Sequence, residues 1–272
     1  MKKQEEMTPD ELAALTVLYT VPGMEEVTIR RDETYGTRES GPITMDVYYP
    51  PAIASGQSLP AVVIVYGYSD AGFPNVFGRT FKELGPPVSW AKLIAASGMI
   101  AILYSNREPA EDAIAVLRYV HDHAASLGID ARRIGFWSGS ANVPVALWLL
   151  MQPELTVKCA ALCYGYMLDV DGATGVADIQ KTYRFANPGA GKSVDDVRKD
   201  VPLLIARSGR DQFPGLNESL DNFVRGALRC NLPLTLVNHP DAPHGFDLFH
   251  DSETTREIVR QILSFLRFHL SA

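Results

Sequence analysis

Three side chains, far apart in the chain, have the types and order needed to activate an oxygen nucleophile. Ser140 lies in the turn SGSAN, between the short apolar run Ile134 to Trp137 and the run Val143 to Met151, which reads as a helix with Pro144 near its start. A serine at the centre of so abrupt a strand-to-helix turn is pushed out above the sheet edge, provided that the residues two before and two after it are small. Ser140 has Ser138 and Asn142 in those places. Ser138 would have Phe136 and Ser140, and the phenylalanine would clash. Taken alone, a serine in such a turn is more often a helix N-cap. What changes the reading is the order Ser, Asp, His that follows. Asp211 comes three residues after the apolar run Val201 to Ser208, and His244, in PDAPHGFD, follows the run Leu234 to His239.

A serine hydroxyl is a poor nucleophile at neutral pH until a base takes its proton. Histidine suits that task, and a carboxylate behind it fixes the tautomer and steadies the imidazolium. A tetrahedral intermediate also needs N–H donors aimed at its oxyanion. The amide of Ala141, directly after the serine, and that of Tyr68, in the loop after AVVIVY, are the candidates. Each residue has a plainer reading. Asp211 would cap a helix or begin a turn, and His244 would be an ordinary loop histidine. His239 is a rival base, and Asp241 and Asp247 lie on the same loop as His244. His121 and His123 fall on a helix, His250 has no strand end to aim it, and His269 lies near the C-terminus.

The elements that must position these residues follow from the hydrophobic pattern. Residues 1–23 read as a helical lead-in with Thr8 as N-cap. Val27 to Arg31 and Ile43 to Tyr49 read as a strand pair, and Ala61 to Tyr66 as a strand buried on both faces. Alternation then begins: a helix at Ser89 to Ala96, the strand Met99 to Tyr104, a helix at Pro109 to Ser126, the turn that carries Ser140, and the strand Cys159 to Tyr166. Residues 169–200 are polar and too short for a domain with its own core, but long enough for a small cap or lid. The strand Val201 to Ser208, a helix at Leu216 to Arg229, the strand Leu234 to His239 and a helix at Glu253 to Leu270 complete the chain. This order predicts a single α/β domain, a mostly parallel sheet with helices on both faces and working residues beyond the carboxyl ends of its strands.

Composition narrows the partners. The chain has 272 residues, 46% hydrophobic and 21% charged, with a net charge of −7 and no basic block, which speaks against nucleic acid. No run of about 18 apolar residues would span a membrane. The N-terminal MKKQEEMTPDEL lacks the apolar core of a secretory signal, and Cys159, Cys163 and Cys230 fit neither a disulfide framework nor a zinc site. Buried thiols in a reducing cytoplasm are expected.

The segments AVVIVYGYSD, RRIGFWSGSANV, GRDQFPG and APHGFD carry a resemblance to the α/β-hydrolase superfamily, in particular its esterase and dienelactone-hydrolase-like branch. In element order the resemblance extends over nearly the whole chain. It implies an eight-stranded, mostly parallel sheet, a triad of Ser140, Asp211 and His244, and an oxyanion hole from the amides of Tyr68 and Ala141. The chain departs from the pattern at Tyr66, where many relatives have histidine, at the elbow SGSAN, and in having serine where dienelactone hydrolases proper have cysteine. The last departure moves the expectation from dienelactones toward ordinary esters.

The expected function is therefore a carboxylesterase-like serine hydrolase acting through an acyl-enzyme, with no metal and no cofactor. Its partner is a small-molecule ester, and a homodimer is left open. Tyr66, Tyr68, Phe73, Phe77, Trp137, Tyr164, Tyr166 and Phe213 are the candidates to line its mouth, although Trp137 and Tyr164 fit the core equally well. Two alternatives stand beside it: a peptidase or amidase with the same triad, and a non-catalytic binder that keeps the pocket. A phosphate-binding Rossmann protein is disfavoured, because no G-x-G-x-x-G follows an early strand.

Overall fold

The computed structural model describes residues 6–271 apart from residues 54, 55, 73 and 173. Its eight strands are β1 (Thr28–Arg38), β2 (Gly41–Tyr49), β3 (Leu59–Ile64), β4 (Ile100–Tyr104), β5 (Ile129–Gly139), β6 (Cys159–Cys163), β7 (Leu203–Ser208) and β8 (Leu234–His239). They form one sheet in the order β1-β2-β4-β3-β5-β6-β7-β8. β2 runs antiparallel to β1 and β4, and the remaining neighbours are parallel. The single-domain, mostly parallel arrangement agrees with the expectation.

The helices are α1 (Pro9–Ala13), α2 (Pro74–Phe77), α3 (Gly85–Ala96), α4 (Pro109–Asp122), α5 (Ala124–Leu127), α6 (Val143–Leu149), α7 (Val176–Tyr183), α8 (Leu216–Arg229), α9 (Phe246–Phe249) and α10 (Glu253–Leu270). β3 shows why the middle strands are apolar throughout. Ala61, Val63 and Val65 pack in a core with residues of α4, α6 and α8, whereas Val62 and Ile64 pack in a second core with residues of α3 and α10. Successive side chains point to opposite faces, so a strand covered on both sides has no polar face to show.

Three expectations need correction. Among the described residues of the lead-in the α-helix is confined to Pro9–Ala13, where Thr8 and Glu11 form a capping box, and the chain beyond runs as an irregular strap across α3; residues 1–5 lie outside the described residues. The helix expected over Pro109 to Ser126 is divided at His123 into α4 and α5. Cys159 and Cys163 are buried, but Cys230 is only half-buried, and its thiol donates to Asp195 Oδ1 at 3.1 Å.

Candidate active site

Ser140, His244 and Asp211 converge at the carboxyl ends of β5, β8 and β7. Ser140 Oγ lies 2.7 Å from His244 Nε2, and His244 Nδ1 lies 2.6 Å from Asp211 Oδ2. The second carboxylate oxygen of Asp211 accepts the amide of Phe213 at 3.0 Å, so both oxygens are engaged. A carboxylate at Nδ1 selects the tautomer with the proton there, which leaves the Nε2 lone pair facing the serine.

The backbone around Ser140 is forced. Its φ is 61°, a left-handed conformation that a residue with a Cβ adopts only where the surrounding structure imposes it. The two elbow positions normally held by glycine are filled by side chains with bonds of their own. Ser138 is fully buried and donates to the Val65 carbonyl at 2.9 Å. Asn142 accepts the Gly67 amide at 2.9 Å and donates to the Gly139 carbonyl at 2.9 Å. Together they stitch the elbow to the loop after β3, on both sides of Tyr66. Gly67 has no room for a side chain, because a Cβ there would lie 3.0 Å from the Ala141 carbonyl.

That loop leads to Tyr68. Its carbonyl side is also held, since Ala186, just after α7, donates to Gly67 O at 2.7 Å. Ala141 is the second residue of the short helical turn Ser140–Asn142, and N–H groups in the first turn of a helix have no intrahelical partner. Tyr68, Tyr166, Phe213, Phe185 and residues of α7 cluster around Ala141 on this side, so Val176, Ile179 and Phe185 are packed down against the loop.

The other side of Ser140 opens into a cavity of about 260 Å³. Ser140, Asn142 and His244 line it, and the rest of its wall is mostly apolar: Leu12 and Leu15 from the strap, Phe77, Phe81, Trp90, Trp137 and Phe249. Of the residues expected to line the site, Phe77 and Trp137 do so, and Tyr164 also reaches the wall. Phe213 is off the wall but sets its ring edge-on to His244, with centroids 4.5 Å apart. Phe73 lies outside the described residues.

Tyr66, Tyr68 and Tyr166 do not line the cavity. Tyr66 is fully buried, with its hydroxyl shared between Asp70 and the Tyr104 carbonyl and its ring stacked on Phe81 at 4.0 Å. It braces the loop from behind. Tyr166 is 2% exposed, stacks on Phe185 and donates to Pro214 O at 3.2 Å. The rival base His239 is turned away toward Thr255 and Ser252, at 3.1 and 3.4 Å. Asp241 pairs with Arg210 on the surface.

Two features escape a sequence reading. Asp247 is buried in the cavity wall, accepts the Trp90 indole N–H at 2.7 Å, and has its carboxyl pKa raised by burial. The strap residues Leu12 and Leu15 supply the roof. Their signal was present in the Thr8–Glu11 capping box followed by apolar residues three apart, which marks a short amphipathic turn with something to cover.

No protein-family model matches the chain, and no curated protein does. Among solved structures it is similar to an esterase, Est2, of the Planctomycetes species Thermogutta terrifontis, at 20% identity over 91% of this chain and 95% of that one, with a TM-score of 0.66. It is similar to MGS-M1, an α/β-hydrolase enzyme from a Medee basin deep-sea metagenome library, at 16% identity over 90% and 99% of the two chains, TM-score 0.66. A third, an inhibited esterase B from Lactobacillus rhamnosis, shares 14% identity over 92% and 90%, TM-score 0.65. The chain has the α/β-hydrolase fold.

Proposed function

We propose that this protein is a serine hydrolase that cleaves small carboxylic esters. The observation that carries the reading is the continuous hydrogen-bonded line from Ser140 through His244 to Asp211, with the serine held at positive φ in the lining of a mostly apolar cavity. Ser140 Oγ attacks the ester carbonyl as its proton passes to His244 Nε2, and the carbonyl π electrons move onto the oxygen, which the amides of Tyr68 and Ala141 stabilise. His244 then gives the proton to the departing alkoxide, leaving an acyl-enzyme. Water repeats the sequence, releasing the acid and restoring the serine. Asp211 keeps the imidazole oriented throughout. Segment 169–200 acts as a small cap over the oxyanion side. The Thermogutta esterase is phosphorylated by paraoxon, which suits the same chemistry. Free thiols at Cys159, Cys163 and Cys230 are in keeping with a reducing, cytoplasmic setting.

The test is hydrolysis of a short p-nitrophenyl ester together with labelling by a fluorophosphonate probe. Ser140→Ala should lower kcat by roughly 10⁴-fold or more with an unchanged circular dichroism spectrum, and should abolish labelling. Full activity in that variant would remove the assignment. A wild-type protein that neither turns over ester nor labels would instead be a binder that has kept the pocket, and turnover of an anilide in preference to an ester would mark an amidase.

A further inference from the structure

The roof of the cavity comes from a segment with no part in the reaction chemistry. α1 and the strap after it lie across the start of α3, where Leu12 and Leu15 face the cavity that Ser140 opens into. The strap is fastened at several points. The Val17 amide donates to Ser89 Oγ at 3.0 Å, and the Leu18 amide donates to the Asp247 carbonyl at 2.8 Å. Between α1 and these bonds the strap presses on Gly85 so closely that a Cβ there would lie 2.3 Å from the Leu15 carbonyl. A roof held this firmly has a definite position, so the space beneath it has a definite depth. The cavity, at about 260 Å³, is smaller than the roughly 300–1,000 Å³ of sites for drug-sized ligands.

We infer that the N-terminal strap is the specificity-determining wall of the site: Leu12 and Leu15 set the length of the apolar group, on one side of the ester bond, that the pocket accepts. The inference rests on the ester-hydrolase reading and deepens it to a substrate class, esters of short aliphatic or small aryl groups. Apolar fit is graded by length, because each methylene that finds room is removed from water and each one too many meets a fixed wall. The strap does this without touching the reacting atoms.

The experiment measures kcat/KM over two ester series, p-nitrophenyl esters of increasing acyl length and alkyl acetates of increasing alcohol length. Leu15→Ala should move the preferred length upward, raising the ratio for a longer over a shorter ester by about fourfold per methylene newly accommodated, the discrimination expected of one buried CH₂. Leu15→Trp should move it downward. Gly85→Ala, which displaces the strap without altering a wall side chain, should shift it in the same direction as Leu15→Ala. A shift in either series supports the inference, and the series that shifts identifies whether acyl group or alcohol lies under the strap. Unchanged profiles in all three variants, with fluorophosphonate labelling of Ser140 intact, would overturn the role of the strap alone. Absence of labelling in the wild type would overturn the underlying reading instead. Opposite signs from Leu15→Ala and Leu15→Trp also separate a fitted wall from a general loss of stability.

Discussion

Asn142 occupies a place where glycine is usual, and its side chain does what a glycine cannot. By accepting from Gly67 and donating to Gly139 it ties the loop bearing Tyr68 to the elbow bearing Ser140. Asn142 is therefore a positioning residue. Asn142→Ala should leave Ser140 beside His244 yet free the loop, lowering kcat by roughly tenfold to a hundredfold with little change in KM, since donors misplaced by a fraction of an ångström lose most of their effect on the oxyanion. Steady-state kinetics on one ester separates this from a merely structural role, which would show as lowered Tm with kcat per folded molecule unchanged. Asn142→Asp, which keeps an acceptor for Gly67 but sets a carboxylate oxygen against the Gly139 carbonyl, should not recover the loss.

At the scale of elements, Asp211 and His244, the proposed acid and base, meet because the loops after β7 and β8 are bonded to each other. Gly209 donates to the His239 carbonyl at 2.8 Å and Arg210 to that of Ala242 at 2.9 Å. Gly209 has no side chain because a Cβ would lie 2.4 Å from the Pro240 carbonyl. Gly209→Ala should push the two loops apart and carry Asp211 away from His244. The expected outcome is a fall in kcat of roughly tenfold or more, because the imidazole loses the carboxylate that orients it. An unaltered kcat would show that the loops can yield without moving the pair.

For the whole molecule, Asp247 joins distant parts: its buried carboxyl holds α3 through Trp90, and its backbone carbonyl holds the strap through Leu18, three residues along the chain from His244. Burial raises its pKa above the ordinary 3.8. From 3.8 upward the unfolded chain loses this proton while the folded one keeps it, so the folded state binds more protons. The contribution of Asp247 to stability is thus complete below the ordinary value and declines as pH rises toward the folded pKa. Asp247→Asn removes that dependence. Urea denaturation should show the variant gaining on the wild type as pH is raised from about 4 to about 8, and a constant difference across that range would refute the assignment.

Hydrophobic runs and their spacing were enough to determine the alternation of strands and helices. β8, α8 and α10 begin and end where the pattern places them, because burial on one face or two leaves a periodic mark in the chain. The order Ser140, Asp211, His244 at strand ends was legible for a related reason: a parallel sheet delivers all its carboxyl ends to one edge, so position along the chain implies position in space. Tertiary structure alone decided which aromatic side chains face the cavity. Tyr66 and Phe77 read alike in sequence, yet one is the buried brace of a loop and the other a wall. It also decided that Leu12 and Leu15 line the pocket, since they share it with Trp90, Trp137 and Phe249 only when the chain has closed on itself. Local periodicity records that a side chain is buried, but not against what. The partner is chosen by packing between segments that are distant in sequence.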